Sequence, residues 1–215
     1  MKKSGVVLGM ALLAASVAQA DNGFYVLGAA GLSRVDDFIS RDDLEDSIGL
    51  PVDSFSRDRS DFAYKAQVGY QFTDYFAIEG GYVDLGKVSA KGSGQFFGLS
   101  YRDQLDWEAK GFNVAGLLTL PVNAGWSLFF KLGAIRADVD AKEKASVSFG
   151  STSASSSWSY DDTSVKANFG LGVKWEFIEH VGVRAEIERF NKLGDADETG
   201  ESSVDLFTLG AYYQF

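Results

Sequence analysis

The chain has 215 residues, a formal net charge of −10, 24 glycines, two prolines and no cysteine. Such acidity excludes a nucleic-acid binder, and the lack of thiols excludes disulfides and thiolate chemistry. Beyond residue 20 there is no run of eighteen apolar residues to form a spanning helix, so a membrane-crossing chain would have to close into a barrel that pairs its backbone groups internally.

In chain order, Lys2 and Lys3 precede an apolar stretch from Gly5 to Val17, and Ala18-Gln19-Ala20 is a small-x-small cleavage site. This is the layout of a secretory signal peptide over residues 1–20, with Ala20 and Asp21 flanking the cut. Losing the two lysines takes the formal charge from −10 to −12. Residues 21–215 then form one domain.

The rest alternates with period two rather than 3.6. It predicts eight strands, at about Gly23–Val35, Asp61–Phe72, Tyr75–Val88, Asp106–Leu120, Trp126–Asp140, Thr163–Phe177, Val181–Phe190 and Val204–Phe215. In the second, Phe62, Tyr64, Ala66, Val68, Tyr70 and Phe72 share one face and Lys65, Gln67, Gly69 and Gln71 the other. Three connections are tight, at Thr73-Asp74, Asn123-Ala124-Gly125 and Ile178-Glu179-His180. Four are long and polar, about Asp36–Ser60, Ser89–Leu105, Ala141–Asp162 and Leu193–Ser203. Short turns at one end and long loops at the other mark an outer-membrane barrel. The short turns and both mature termini fall on the periplasmic side.

The alternation alone fits an apolar face turned inward or outward. The outward choice rests on a polar face rich in glycine and in charges of both signs, which suits a narrow interior. It rests also on aromatics gathered at strand ends (Phe24, Tyr70, Phe72, Trp126, Trp175), where rings sit at headgroup level. The chain finishes Tyr212-Tyr213-Gln214-Phe215. Tyr213 and Phe215 resemble the C-terminal signal read by the barrel-assembly machinery.

The segment AYKAQVGYQFTDYFAIEGGYVDLG, residues 63–86, resembles the second and third strands of the OmpA-like transmembrane domain family. The similarity continues through GFNVAGLLTLPV, KLGAIRAD, FGLGVKWEF and LGAYYQF. The resemblance implies an all-β, eight-stranded antiparallel up-and-down barrel with a charge-filled interior, in which Glu79, Lys131 and Arg184 take interior positions. Leu117 stands where a lysine is expected and Lys174 where a glutamate is, which removes the basis for a gating ion-pair swap. Many members carry a peptidoglycan-binding domain after the barrel, and wall anchoring is not carried over to this chain.

The interior charges Lys65, Glu79, Lys131, Lys174, Arg184 and Glu186 are the dense polar constellation. An unpaired buried charge is costly, so Glu79 and Glu186 are expected to contact Lys65, Lys131, Lys174 or Arg184. An eight-stranded lumen is just wide enough for side chains to fill, OmpA- and OmpX-type barrels being the standard example, so a packed structural core is favoured over an ion relay. The sole histidine, His180, lies in a short turn, away from any outer-rim substrate. No cofactor is expected. The Asp36–Asp61 segment, with nine acidic residues against three arginines, lacks the spacing of a calcium loop. It reads as a solvated loop whose carboxylates share divalent cations with lipopolysaccharide. Ser146–Ser159, with eight serines in fourteen residues, reads as flexible. The expectation is a non-enzymatic, monomeric envelope protein in contact with outer-membrane lipid and lipopolysaccharide. The alternatives are a surface adhesin of OmpX type and a narrow low-conductance pore.

Overall fold

The computed structural model describes residues 23–36, 38–123, 125–195 and 199–215. The cleavage residues Ala20 and Asp21 lie outside them. Among the described residues the elements run β1 (Phe24–Val35), α1 (Arg41–Ile48), β2 (Ser54–Asp58), β3 (Ser60–Thr73), β4 (Phe76–Phe96), β5 (Leu99–Asn123), β6 (Trp126–Phe149), β7 (Thr152–Ile178), β8 (Val181–Leu193) and β9 (Ser202–Gln214). Every pairing is antiparallel. Sequence neighbours from β3 to β9 pair in turn, β1 pairs with β3, and β1 with β9 closes the ring, giving an eight-stranded barrel. The short strand β2 lies outside this ring and pairs with the upper part of β4.

Which way the apolar face turns is plain from exposure. Val68, Phe112, Leu171 and Leu209 are each more than 60% exposed, whereas Lys65, Glu79 and Lys131, on the opposite face of the strands, are at most 2% exposed. So continuous a belt of bare apolar side chains is stable in lipid, not in water. Rings border it at both levels. Near the short turns Phe24 meets Tyr70 at 4.9 Å, Tyr70 meets Phe72 at 4.8 Å, and Trp126 stacks on Trp175 at 5.2 Å. Near the long connections Tyr82 lies 6.2 Å from Tyr64 and 5.6 Å from Phe112. The eight steps from Tyr64 to Phe72 span ~27 Å along the strand, which a tilt of about 40° turns into roughly 20 Å of height, on the scale of the apolar band of such barrels.

Two of the expected long loops are strand. β4 and β5 continue to a turn at Phe97-Gly98, and β6 and β7 to a turn at Gly150-Ser151. Ser89–Leu105 and Ala141–Asp162, the serine-rich stretch included, therefore build a sheet that stands above the barrel. Their sequence hides this because the sheet has left the lipid and the contrast between its faces fades. The Asp36–Ser60 connection is also structured. Ser40 caps α1, its hydroxyl accepting from the Asp43 amide at 3.2 Å while the Asp43 carboxylate accepts from the Ser40 amide at 2.8 Å. Gly49 ends the helix at φ 67°.

β4 carries a bulge between Asp84 and Lys87. Gly86 sits there at φ 75°, and a Cβ on it would lie 2.6 Å from the Phe62 carbonyl oxygen, so glycine is required. Below the bulge Ala77, Glu79 and Val83 point inward, as does Leu85 within it; above it Val88, Ala90 and Gly92 do. The extra residue thus keeps an apolar row inside as the strand leaves the membrane.

Candidate functional site: the interior charge layer

Strand parity sends Lys65 of β3, Glu79 of β4, Lys131 of β6, and Arg184, Glu186 and Glu188 of β8 into the lumen, where their charged ends meet. Lys131 Nζ lies 2.7 Å from Glu79 Oε1, 2.7 Å from Glu188 Oε1 and 3.3 Å from Glu186 Oε1. These are contact ion pairs rather than aligned hydrogen bonds. Lys65 Nζ donates to Glu186 Oε2 at 2.7 Å and also to Glu188. Arg184 donates to both oxygens of Glu79, at 2.7 and 3.1 Å, and pairs with Glu186 Oε2 at 2.8 Å. Its guanidinium also lies over the Phe129 ring, 4.2 Å from the centroid. The Tyr25 hydroxyl donates to Glu79 at 2.9 Å. Three cations thus meet three carboxylates with no net charge. A relay of amides completes the layer: Gln67 donates to Asn113, Asn113 to Asn168 and Asn168 to Glu188, at 2.9, 3.1 and 3.3 Å.

The interior glycines make room for this layer and for the rings beside it. A Cβ on Gly69 would lie 2.1 Å from Tyr25 Cζ, and one on Gly172 would lie 2.2 Å from Phe129 Cζ. Small residues facing large ones fill a narrow cylinder without voids.

Five of the six expected interior charges meet here. Lys174 does not. It pairs in register with Arg184, a like charge, and turns toward the short-turn rim, where its Nζ lies 3.4 Å from Gln71 Oε1. Glu188 is a member that sequence reasoning passed over, although its parity with Arg184 and Glu186 was readable. Tyr25 was likewise readable from its place opposite the apolar face of β1.

The expected charge-filled interior is also only half the picture. On the long-hairpin side of the layer the lumen is apolar, packed with Val35, Val83, Trp107, Ile135, Phe190 and Leu206, all buried. On the short-turn side there is a vestibule of about 20 Å³ between Tyr25, Gln71, Thr119, Phe129, Lys174 and Arg184, room for about one water. A larger hollow of about 680 Å³, beside Ala30, Leu171, Ile187 and Phe207, lies on the lipid side of the wall. Tyr213 and Phe215 form an edge-to-face pair at 5.0 Å in the lower aromatic ring.

A closed antiparallel ring, apolar outside and charge-neutralised inside, agrees with the comparison to known sequences. A sequence model of the OmpA-like transmembrane domain matches residues 19–215. The chain belongs to that family. Outer membrane protein A of Escherichia fergusonii is 28% identical over 222 residues, covering 100% of this chain and 56% of that protein. Outer membrane protein A of Yersinia pseudotuberculosis is 29% identical over 226 residues with the same coverage. The chain therefore spans about half the length of these relatives. Among solved structures, Neisserial surface protein A aligns over 90% of this chain and 97% of its own at 13% identity and a TM-score of 0.48. Membership places the chain among outer-membrane proteins of Gram-negative bacteria.

Proposed function

We propose that this OmpA-like barrel is a non-enzymatic component that adds to the integrity of the outer membrane, with its long hairpins outside the cell and its short turns in the periplasm. The observation that carries this reading is the doubly closed lumen. A neutral ion-pair layer links β3, β4, β6 and β8 across the bore, and an apolar plug sits above it. Conduction would require both to open, and a broken buried pair costs on the order of 3–5 kcal/mol. The histidine that a hydrolase would want at the outer rim is instead at the opposite end, where His180 lies 3.8 Å from Glu179 in the turn before β8. Outward-facing, exposed Arg34 and Arg136, near the upper aromatic ring, offer cations to lipid and lipopolysaccharide phosphates. In this reading Tyr213 and Phe215 engage the assembly machinery, and the barrel works as a monomer.

A deletion strain challenged with detergent tests the role. Sensitivity restored by the wild-type chain supports it, and unchanged resistance of the deletion strain overturns it. Planar-bilayer recording tests the closed lumen separately, for which a large steady conductance of the folded protein is the contrary result.

A further inference from the structure

The sheet that stands above the barrel is amphipathic. One face, built from rows such as Ser93, Arg102, Ser146 and Ser155, is polar throughout. The other continues the inner wall of the barrel. Part of it is covered: Leu44 of α1 lies over Gly92, where a Cβ would sit 2.2 Å from Leu44 Cδ2, and Val52 is fully buried beside it. The part on β6 and β7 is bare. Val147, Phe149, Trp158 and Tyr160 are 42 to 64% exposed there.

Two further observations fall on the same place. The first is a free sheet edge. β7 pairs with β8 only from Asn168 onward, and among the described residues no strand pairs with 152–165 on that side. Exposed edges are usually blunted by lysine or proline, and this stretch contains no Lys, Arg or Pro. The second is carboxylates without cations. Glu143 stands opposite Trp158, and Asp162 lies on the same face of β7, with one oxygen excluded from solvent and lacking a hydrogen-bond partner. Asp103, 7% exposed, also has a carboxylate oxygen without a partner. Burial first, and then the charge of Asp103, raise the pKa of Glu143, and the second of these, the neighbouring carboxylate, also favours an incoming cation.

We propose that this edge and face bind an extended basic segment of another protein, which adds as a strand beside β7. Backbone groups of β7 supply the ladder, while alternate side chains of the guest meet Trp158 and Tyr160 or the carboxylates. Trp158 and Asp162 are four residues apart on one face, ~13 Å. The guest therefore carries two lysines or arginines four positions apart with an apolar residue midway. A second copy of this chain is a poor guest, because a β7 to β7 pairing brings only aspartates to Glu143 and Asp162.

The test uses the full chain in nanodiscs, where both membrane sides are open and the result does not depend on orientation in the cell or on the envelope role. The probe is a fluorescent ten-residue peptide of alternating threonine and valine with lysines four apart, followed by anisotropy. Saturable binding is expected, weakened at least tenfold by Glu143→Gln with Asp162→Asn, by glutamate in place of the peptide lysines, and by proline at two alternate threonines. Absence of binding overturns the proposal. Binding that survives the proline peptide overturns strand addition, and binding that survives the two neutral substitutions overturns the charge assignment. Since both substitutions leave the β ladder intact, unchanged gel mobility of the folded barrel shows that any loss comes from the site.

Discussion

Lys131 is fully buried and touches Glu79, Glu186 and Glu188 at once. Lys131→Met keeps the length of the side chain but leaves those carboxylates short of a cation, so a loss of about 3–5 kcal/mol is expected, measured by urea unfolding in lipid vesicles. A loss below about 1 kcal/mol, the scale of an exposed pair, would show that the layer is not a tightly held network. Phe97 presents the opposite case. It is 87% exposed and sits at φ 48° in a two-residue turn with Gly98, a position where asparagine is cheap and a bulky ring is not. Phe97→Asn should slow amide exchange at the hairpin tip, corresponding to a gain of up to about 1 kcal/mol. Parity made it legible which charges share a face, since residues two apart on a strand do, and the export and loop signals together with the family resemblance turned that face inward. The neighbours of each charge were not legible, because register decides them. Lys174 stands in register beside Arg184, a like charge, and turns away to Gln71, so it drops out of a layer to which its parity had assigned it.

At the scale of elements, the barrel strands were readable wherever lipid faced one side and the packed lumen the other. Their extensions were not, because above the membrane serine and threonine occupy much of both faces and only pairing with neighbours keeps them extended. Helix α1 was missed for a related reason. Its acidic run reads as a solvated loop, although the reciprocal Ser40–Asp43 cap is written in the sequence. That cap gives a pH dependence. The hydrogen bonds from Ser40 hold the Asp43 carboxyl below its usual value, and the Val52 amide followed by Arg41 does the same for Glu45. A carboxylate whose pKa is lower folded than unfolded stabilises above the unfolded value and loses that contribution as pH falls through the folded one. We therefore expect α1 to loosen below about pH 4, seen as faster amide exchange in Arg41–Ile48 while the barrel amides stay protected. Ser40→Ala should produce the same loosening at neutral pH, by about 1 kcal/mol.

At the scale of the whole molecule, closure rests on how nearly β1 and β9 approach. A Cβ at Gly31 would lie 1.7 Å from the Phe207 carbonyl oxygen, while one at Gly28 would meet nothing within 4 Å. Gly31→Val should keep the chain from reaching the compact, heat-modifiable form seen as a gel mobility shift. Gly28→Ala should not, and equal behaviour of the two would contradict the packing described for this seam. Tyr25 of β1 pairs in register with Gln214 of β9, whereas the hairpins from β3 to β9 join neighbours in sequence. The local ladders can therefore zip early, and the seam carries the heaviest loop-closure entropy of the fold. Until it forms, the intermediate is a curled sheet with two bare margins, and whether those margins find each other or a second nascent chain sets the yield of folding against aggregation.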